Sequence, residues 1–119
     1  MAQIRDYTEN AHTSNYNLSE GESGTLHSNR GAGSAVTIFL PENASMGVYY
    51  TFSVVVAQEL RVDPGDSANL LMRKNGQDNY PGEYWYADAI GESLTLVSNG
   101  FNEWYSINRF GIWAWESFT

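Results

Sequence analysis

The sequence predicts an all-β domain, and three features of the 119-residue chain support that prediction. Its apolar segments alternate with a period of two, they are rich in β-branched and aromatic residues, and turn-forming residues recur about every 8–12 positions. No window shows the roughly 3.6-residue spacing of an amphipathic helix. We therefore expect a single small β-sandwich or barrel, jelly-roll-like, with about eight antiparallel strands and an extended N-terminal arm.

The first 34 residues are mostly Ser, Thr, Asn, Gly and acidic residues, with only isolated apolar positions. We expect one short strand around residues 25–29. We assign residues 1–15 to the extended arm and residues 16–119 to the β-sandwich domain. A polar arm of this length is either a disordered tail or is ordered by a partner's surface, and the sequence leaves both open. In the second case the residues that contact the partner would be Ile4, Arg5, Asp6 and Tyr7.

Two apolar segments in the middle of the chain predict strands of the core. The segment SAVTIFLP, residues 34–41, is rich in β-branched residues and stops at a proline. The segment 47–66 alternates, and one of its faces carries Tyr50, Phe52, Val54 and Val56. Further along it, we expect Leu60 and Val62 to point inward and Arg61 outward. This second segment ends in the sequence DPGD, which is typical of a β-turn.

The last third of the chain predicts a hairpin, a loop and three further strands. Asn75-Gly76 is the strongest short hairpin signal in the chain. We expect residues 81–92 to form a polar, aromatic loop and residues 93–99 to form a strand. The segments EWYSINR and GIWAWES are separated by Phe110-Gly111. They would form the closing hairpin of the core.

The closing segment carries aromatic rings on both faces. Trp104 and Ser106 fall on one face of the predicted strand, and Tyr105 and Ile107 fall on the other. A single small core does not need rings on both sides, and aromatic residues are enriched at protein–protein interfaces. We therefore expect a subunit interface, with the candidate residues Tyr105, Ile107, Trp113 and Trp115.

Composition excludes several classes of function. The chain has 14 acidic residues against six Lys and Arg, and a net charge of −8 repels a phosphate backbone, so we expect no nucleic-acid partner. It has no cysteine, which excludes thiolate catalysis and disulfides. Arg5, Asp6 and Glu9 interrupt the N-terminus where a signal peptide would be apolar. No apolar run approaches the ~20 residues of a membrane span, so we expect synthesis in the cytoplasm and no membrane partner.

Motifs for catalysis are scarce, and we expect no enzyme, no cofactor and no metal site. Gly31-Ala32-Gly33 lacks the third glycine of a dinucleotide loop and precedes a strand. His12 and His27 have no sequence neighbours that would complete a metal site or a catalytic triad. The acidic residues of the 81–92 loop could in principle act as the carboxylate pair of a glycosidase. A solvated loop explains them better.

The order of features from Tyr16 to Trp115 resembles a small β-domain that recurs in structural proteins of tailed bacteriophages. The resembling pieces are, in order, E-S-G-T at residues 22–25, V-T-I-x-L-P at 36–41, an A-x-x-G turn at 44–47, Y-T-F-x-V at 50–54, and a strand ending in RVDP. The last resembling piece is a G-x-W at residues 111–113, within the segment GESLTLVSNGFNEWYSINRFGIWAWE. Each piece is a common β pattern, and the ordered set is the more specific feature.

The resemblance implies a virion protein, most like a capsid decoration or head cement protein. Such a protein would bind the outer surface of the head in many copies, commonly as a homotrimer, and its arm would lie across neighbouring subunits of the major capsid protein. The alternative is a carbohydrate- or host-receptor-binding module of a tail fibre or spike. That alternative would use an exposed aromatic platform, for which the candidates are Tyr84, Trp85 and Tyr86.

Overall fold

The computed structural model describes residues 9–65, 70–71 and 83–115. It shows two mixed β-sheets packed on each other in a body of 35 × 32 × 24 Å, so the all-β prediction is confirmed. The strands are β1 (Glu9–Ala11), β2 (Tyr16–Asn17), β3 (Leu26–Ser28), β4 (Val36–Phe39), β5 (Tyr49–Ser53), β6 (Leu60–Asp63), β7 (Leu70–Leu71), β8 (Trp85–Ala87), β9 (Ser93–Ser98), β10 (Glu103–Phe110) and β11 (Ala114–Trp115). A single 3₁₀ turn, Glu20–Glu22, is the only helical element of the described residues.

The strands divide between a six-stranded and a five-stranded sheet. The six-stranded sheet has the order β1-β3-β5-β9-β10-β7, and the five-stranded sheet has the order β11-β8-β6-β4-β2. The first six strands therefore alternate between the sheets along the chain. Among these six strands, neighbours within a sheet, such as β3 beside β5 and β4 beside β6, run parallel. In residues 9–63 the chain therefore passes from one sheet to the other and back in successive turns, and we call this part the N-terminal coil.

The antiparallel jelly-roll prediction is wrong for this coil. Among the described residues, five of the nine strand pairs are parallel, and there are eleven strands instead of about eight. Parallel neighbours need a long crossover, which here is the intervening strand of the opposite sheet. Period-two alternation predicts which face of a strand is buried, but it contains no information on the direction of the neighbouring strand.

The predicted inward faces of three strands are confirmed. In the segment 47–66, Tyr50, Phe52 and Val54 are fully buried at and just after β5, and Leu60 and Val62 are fully buried in β6. In β9 the buried positions are again every second residue. Two tryptophans, one from each sheet, are among the largest buried side chains of this core. Burial of each such side chain stabilises the fold by about 1.5–3 kcal/mol relative to exposure.

Two predictions for the C-terminal part are wrong. Residues 85–87, expected in a loop, form β8, because Trp85 and Ala87 are core residues on the same side of the strand. The segments on either side of Phe110-Gly111 do not pair as a hairpin. Strand β10 lies in the six-stranded sheet, whereas β11 pairs with β8 in the other sheet. The turn at Gly111, with φ of 90°, therefore carries the chain from one sheet to the other. The Asn75-Gly76 hairpin lies outside the described residues.

Residues 9–11 of the expected arm form an edge strand, and the next edge strand, β2, begins directly after the arm. Strand β1 pairs with β3 at the edge of the six-stranded sheet, and β2 pairs with β4 at the edge of the other. The Glu9 carboxylate accepts hydrogen bonds from Ser28 and Arg30, and its ion pair with Arg30 is 2.7 Å long. The chain is therefore held to the domain from Glu9 onwards. The candidate arm residues Ile4, Arg5, Asp6 and Tyr7 lie outside the described residues, and their role stays a prediction.

Asn29 holds the crossover that joins β5 to β6. Its side chain is fully buried, and its amide nitrogen donates to the carbonyl oxygens of Val56 and Gln58 at 3.2 and 3.0 Å. Its amide oxygen accepts from the backbone N–H groups of Val55 and Val56 at 2.9 and 3.2 Å. All four hydrogen-bonding positions of the amide are used. Backbone groups of the half-buried crossover thereby gain partners outside the pairing of the strands.

We expect Asn29→Asp to destabilise the protein by at least about 3 kcal/mol, because one carboxylate oxygen would face two carbonyl oxygens in a buried site. The measurement is urea unfolding at neutral pH, followed by tryptophan fluorescence. Asn43→Asp makes the same chemical change at an exposed position and should alter the free energy of unfolding by no more than about 0.5 kcal/mol. Equal losses in the two variants would contradict the role assigned to Asn29.

Candidate functional site

The three residues of the expected aromatic platform are separated by the strand they lie on. Trp85 is 1% exposed and packs in the core, so it cannot stack on a ligand, and its place in the predicted platform is wrong. Tyr84 and Tyr86 are half-buried on the other side, with ring centroids 5.9 Å apart. The guanidinium of Arg61 lies 5.1 Å from the ring centroid of Tyr84. What remains of the platform is therefore a pair of tyrosines beside an arginine.

The four residues of the expected subunit interface also divide between core and surface. Tyr105 and Ile107 are exposed on β10, with Ile107 62% exposed. Trp113 is buried, and its indole N–H donates to the Ser93 carbonyl at 3.0 Å, so it is not available to a neighbouring subunit. Trp115 packs half-buried against the core. An interface role stays a prediction for Tyr105 and Ile107.

Strand β10 contains a β-bulge that the sequence does not reveal. Its pairing with β9 runs regularly from Trp104↔Ser98 to Ser106↔Leu96, skips Ile107, and resumes at Asn108↔Thr95. A bulge inserts one extra residue and re-aims the side chains that follow. Arg109 consequently pairs with Leu94, an inward-facing residue of β9, instead of pointing to the outside of the sheet.

Arg109 forms one wall of a cleft with the end of the chain. Its guanidinium carbon lies 5.5 Å from the ring centroid of Trp85, in the geometry of a cation–π contact. The ring of Trp115 lies 6.3 Å from that of Trp85. The cleft has a volume of about 350 Å³, and its described lining residues are Arg109, Gly111, Ile112, Trp113 and Trp115. We call it the Arg109 cleft.

Large apolar side chains are exposed along β10 and just after it. Phe110 is 68% exposed and Ile112 is 81% exposed, beside the two exposed residues of the expected interface. We call these four residues the β10 apolar group: Tyr105, Ile107, Phe110 and Ile112. Strand β7 pairs only with Glu103 and Trp104, so it does not cover this part of β10 within the described residues. A group of this kind is typical of a surface that contacts another protein.

The two histidines, which have no sequence neighbours that suggest a site, are in direct contact in the structure. The Thr25 hydroxyl donates to the Glu22 carbonyl at 2.6 Å, so it must accept from His27 Nε2–H at 2.7 Å. Nδ1 of His27 is then the acceptor for His12 Nε2–H at 2.9 Å. The ring of Tyr16 lies 4.4 Å from that of His12 and covers the pair. Because the two histidines are 15 residues apart, only the parallel pairing of β1 with β3 brings them together.

This histidine pair is neutral at neutral pH. Burial lowers the pKa of His27 to about 4, and the neighbouring His12 lowers it in the same direction. Burial also lowers the pKa of His12. Glu22 raises both values, but by less. Its own carboxylate accepts from the Tyr16 hydroxyl at 2.7 Å. The arrangement has no nucleophile or open coordination position that would make it a catalytic or metal site.

Acidic residues elsewhere have structural partners. Glu92, one of the glycosidase candidates, accepts from the backbone N–H groups of Ala89 and Ile112 at 3.0 and 2.7 Å. A Cβ on Gly111 would lie 2.4 Å from the Glu92 side chain, so only glycine fits there. Glu83 is buried and Asp88 exposed, which does not suggest a pair across a cleft. In the described part of the chain, no group of three or more His, Asp or Glu residues could hold a metal ion.

A second cleft lies where three parallel strands end. It has a volume of about 530 Å³ and is lined mainly by residues that follow β2, β4 and β6, including Leu40, Pro41 and Gly65. Its carboxylates are Glu42 and Asp63. Asp63 accepts from the backbone N–H of Gly65 at 2.8 Å, which closes the expected turn at Pro64-Gly65. This carboxylate therefore shapes the turn, and the described lining of the cleft contains no feature that selects a ligand.

Comparisons with known proteins do not assign the chain to a family. No model of a known protein family matches it, and no curated protein is significantly similar to it. Among the described residues there is no helix long and apolar enough to cross a membrane.

We expect the free energy of unfolding to fall as the pH is lowered from about 6.5 to about 4. In that range the unfolded chain protonates His27 while the folded protein does not, so stability is fully present above the unfolded pKa and is lost below it. The contribution of His27 is roughly 3 kcal/mol. His27→Gln should flatten the pH dependence measured by urea unfolding, and His12→Gln should flatten it less. An unchanged slope in His27→Gln would show that other groups cause the loss.

Deletion of Ile107 should leave the fold and the position of Arg109 intact. The deletion removes the extra residue of the bulge and leaves regular pairing on both sides, so we expect a change of less than about 1 kcal/mol in the free energy of unfolding. Deletion of Val97 from the regular strand β9 is the matched control. It would invert the inward face of half that strand and should cost more than about 3 kcal/mol. Thermal unfolding of both variants measures the difference, and similar losses would contradict the bulge assignment.

Proposed function

We propose that the protein is a bacteriophage capsid decoration protein. It binds the outer surface of the head, as a homotrimer, and stabilises the capsid by bridging subunits of the major capsid protein. The proposal combines the resemblance of residues 16–115 to virion β-domains with a surface that suits protein contacts. It requires no catalysis, cofactor, nucleic acid or membrane.

The β10 apolar group is the observation that supports this function best. In a chain with a net charge of −8, four large apolar side chains are exposed on one strand and the turn that follows it. Exposed apolar side chains that lie close together on a small protein are a common mark of a protein-binding surface. The net negative charge of the chain disfavours contact with the DNA inside a head.

Many copies of a small domain can stabilise a large shell with modest contacts. Each copy that binds across a boundary between two subunits must be released before those subunits separate, so its binding free energy adds to the stability of the shell. Contacts within a trimer raise the effective concentration of each copy at its site. Tyr105 and Ile107 are the proposed contacts between copies. The wider β10 apolar group is the proposed contact with the capsid or with another copy.

Residues 1–8 are the proposed segment that extends from the domain and contacts neighbouring capsid subunits. The chain is held at Glu9 by its ion pair with Arg30 and by the pairing of β1 with β3. A segment that starts from such a fixed point loses less entropy on binding than a free peptide. Ile4 and Tyr7 would supply apolar contacts, and Arg5 and Asp6 would supply charged ones.

A carbohydrate-binding module is the second candidate function. Tyr84 and Tyr86 on the outer face of the five-stranded sheet, beside Arg61, could stack on a sugar ring. The pair is half-buried and small, and it lacks the tryptophan that the sequence suggested for it. It supports this candidate less than the β10 apolar group supports capsid binding.

Co-sedimentation with expanded heads of the phage that encodes the chain tests the proposal. Wild-type protein should pellet with heads, and the double variant Ile107→Ser/Phe110→Ser should bind at least about tenfold more weakly, because it removes two apolar contacts. The control is Met46→Ser/Phe101→Ser, which removes two side chains that are 73% and 75% exposed but lie outside β10. No co-sedimentation of the wild type would refute the function. Equal loss in both double variants would refute the assigned surface.

The same assay can separate the arm from the domain. Removal of residues 1–8 leaves β1 and the Glu9–Arg30 ion pair in place. The truncated protein should therefore fold normally and bind heads more weakly. A glycan panel provides the comparison for the second candidate. Glycan binding that Tyr84→Ser/Tyr86→Ser removes, without head binding, would favour the carbohydrate module.

A further inference from the structure

We propose that the Arg109 cleft binds a carboxylate from an acidic side chain in a peptide segment of a partner protein. This inference does not rest on the proposed function, because it requires only the chemistry of the cleft. Four observations on the described residues support it, and each concerns a different property of the site.

The first observation is the position of Arg109. The bulge at Ile107 sets Arg109 opposite Leu94, on the side of β10 that faces the other sheet. Strict alternation from the buried Trp104 would place residues 106, 108 and 110 inside and Arg109 outside. A guanidinium turned toward the core loses hydration, which is unfavourable unless an acceptor replaces the water. Bulges that re-aim a side chain in this way are common beside binding sites.

The second observation is that Arg109 has no acidic partner. The ion pairs of the described residues are Arg30–Glu9 and Arg61–Glu59, and Arg109 takes part in neither. Its contact is the cation–π interaction with Trp85, and none of the N–H groups along the edge of its guanidinium has an acceptor among the described residues. That edge is a planar fork of donors whose geometry matches a carboxylate.

The third observation is an unused donor beneath the same arginine. The indole N–H of Trp85 is buried and has no acceptor within the part of the chain that the structure describes. Buried donors without partners are rare in folded proteins. Arg109 and this indole are therefore two neighbouring donor groups. A ligand that supplies oxygen acceptors fits such a region, whereas a cation does not.

The fourth observation is the chemistry around the cleft, which favours a peptide over a polyanion. Ile112 and Phe110 beside it are strongly exposed and apolar, which suits apolar neighbours of an acidic residue in an extended peptide. The net charge of −8 repels a polymer with many carboxylates and tolerates one. Glu92, which touches Gly111 of the same cleft, already accepts two backbone N–H groups and does not pair with Arg109.

The size of the cleft agrees with a short recognition element. About 350 Å³ lies at the lower end of the volumes of ligand sites, roughly 300–1,000 Å³. It is sufficient for one acidic side chain and part of a flanking residue. The rings of Trp113 and Trp115 provide rigid walls, because the indole of Trp113 is fixed by its hydrogen bond to Ser93.

The test is a titration of the full chain with N-acetyl-Ile-Glu-Ile-amide and with its Gln counterpart. The readout is the ¹H–¹⁵N signals of the Arg109 Nε–H and the Trp115 indole N–H. We expect the Glu peptide to shift both signals and to bind at least about tenfold more tightly than the Gln peptide, because only the carboxylate forms a charge-assisted pair. The preference should weaken as salt is added.

Three variants make the test specific. Arg109→Gln should abolish the preference for Glu, and Arg109→Lys should keep part of it, since the charge remains without the planar fork. Arg30→Gln removes the same charge far from the cleft and should keep the full preference. Thermal unfolding checks that each variant folds, and Arg109→Lys carries the test if the Gln variant does not.

Several results would overturn the proposal. Equal binding of the two peptides, or no shift of the Arg109 signal with either, would show that the cleft does not select a carboxylate. Binding of glucuronate in the absence of Glu-peptide binding would replace the peptide partner with an acidic sugar. A shift of the Arg109 signal in Glu116→Gln, without any peptide, would show that a carboxylate of the chain itself occupies the cleft.

Discussion

The buried amide of Asn29 is the constraint on which the N-terminal coil depends. A chain that alternates between two sheets must cross their edge repeatedly, and backbone groups within a crossover need hydrogen-bond partners outside the regular pairing of strands. At the crossover from β5 to β6, one side chain supplies four hydrogen bonds and satisfies these groups. Because Asn29 directly follows β3, the same contact also ties β3 to the segment that joins β5 to β6. Strand β6 in turn pairs with β4 and β8.

The bulge in β10 lies beside both proposed binding surfaces. The bulge at Ile107 turns Arg109 toward the tryptophans and leaves apolar side chains on the outside of the same strand. A charged residue on the inner face of a strand and exposed apolar residues on its outer face are unfavourable for a protein that only has to fold. Both become favourable when a second molecule covers them. The irregularity of β10 thus connects the proposed capsid surface with the proposed carboxylate site, although the two can be tested separately.

The sequence predicts the faces of the strands better than their arrangement. The inward positions of Tyr50, Phe52 and Leu60 follow from alternation, because burial of one face is a local property of a strand. The parallel direction of β3 beside β5 depends on the path of the whole chain. The bulge at Ile107 arises from pairing with β9, and the contact between His12 and His27 arises from pairing of β1 with β3. None of these pairings leaves a local signal. Most of the candidate site is consequently visible only in the structure.

The N-terminal coil has a consequence for the order in which the chain folds. Its strand pairs join residues that are close in the chain, such as Glu9 with Leu26 and Leu26 with Thr51. The pairing of Tyr49 with Val97 joins residues much farther apart in the chain. Shorter loops close with a smaller loss of entropy, so the coil can form turn by turn while the ribosome is still adding the C-terminal strands. Strands β9 and β10 would then complete an existing half-domain. On this order, the surface built on β10 would form after the scaffold that positions it.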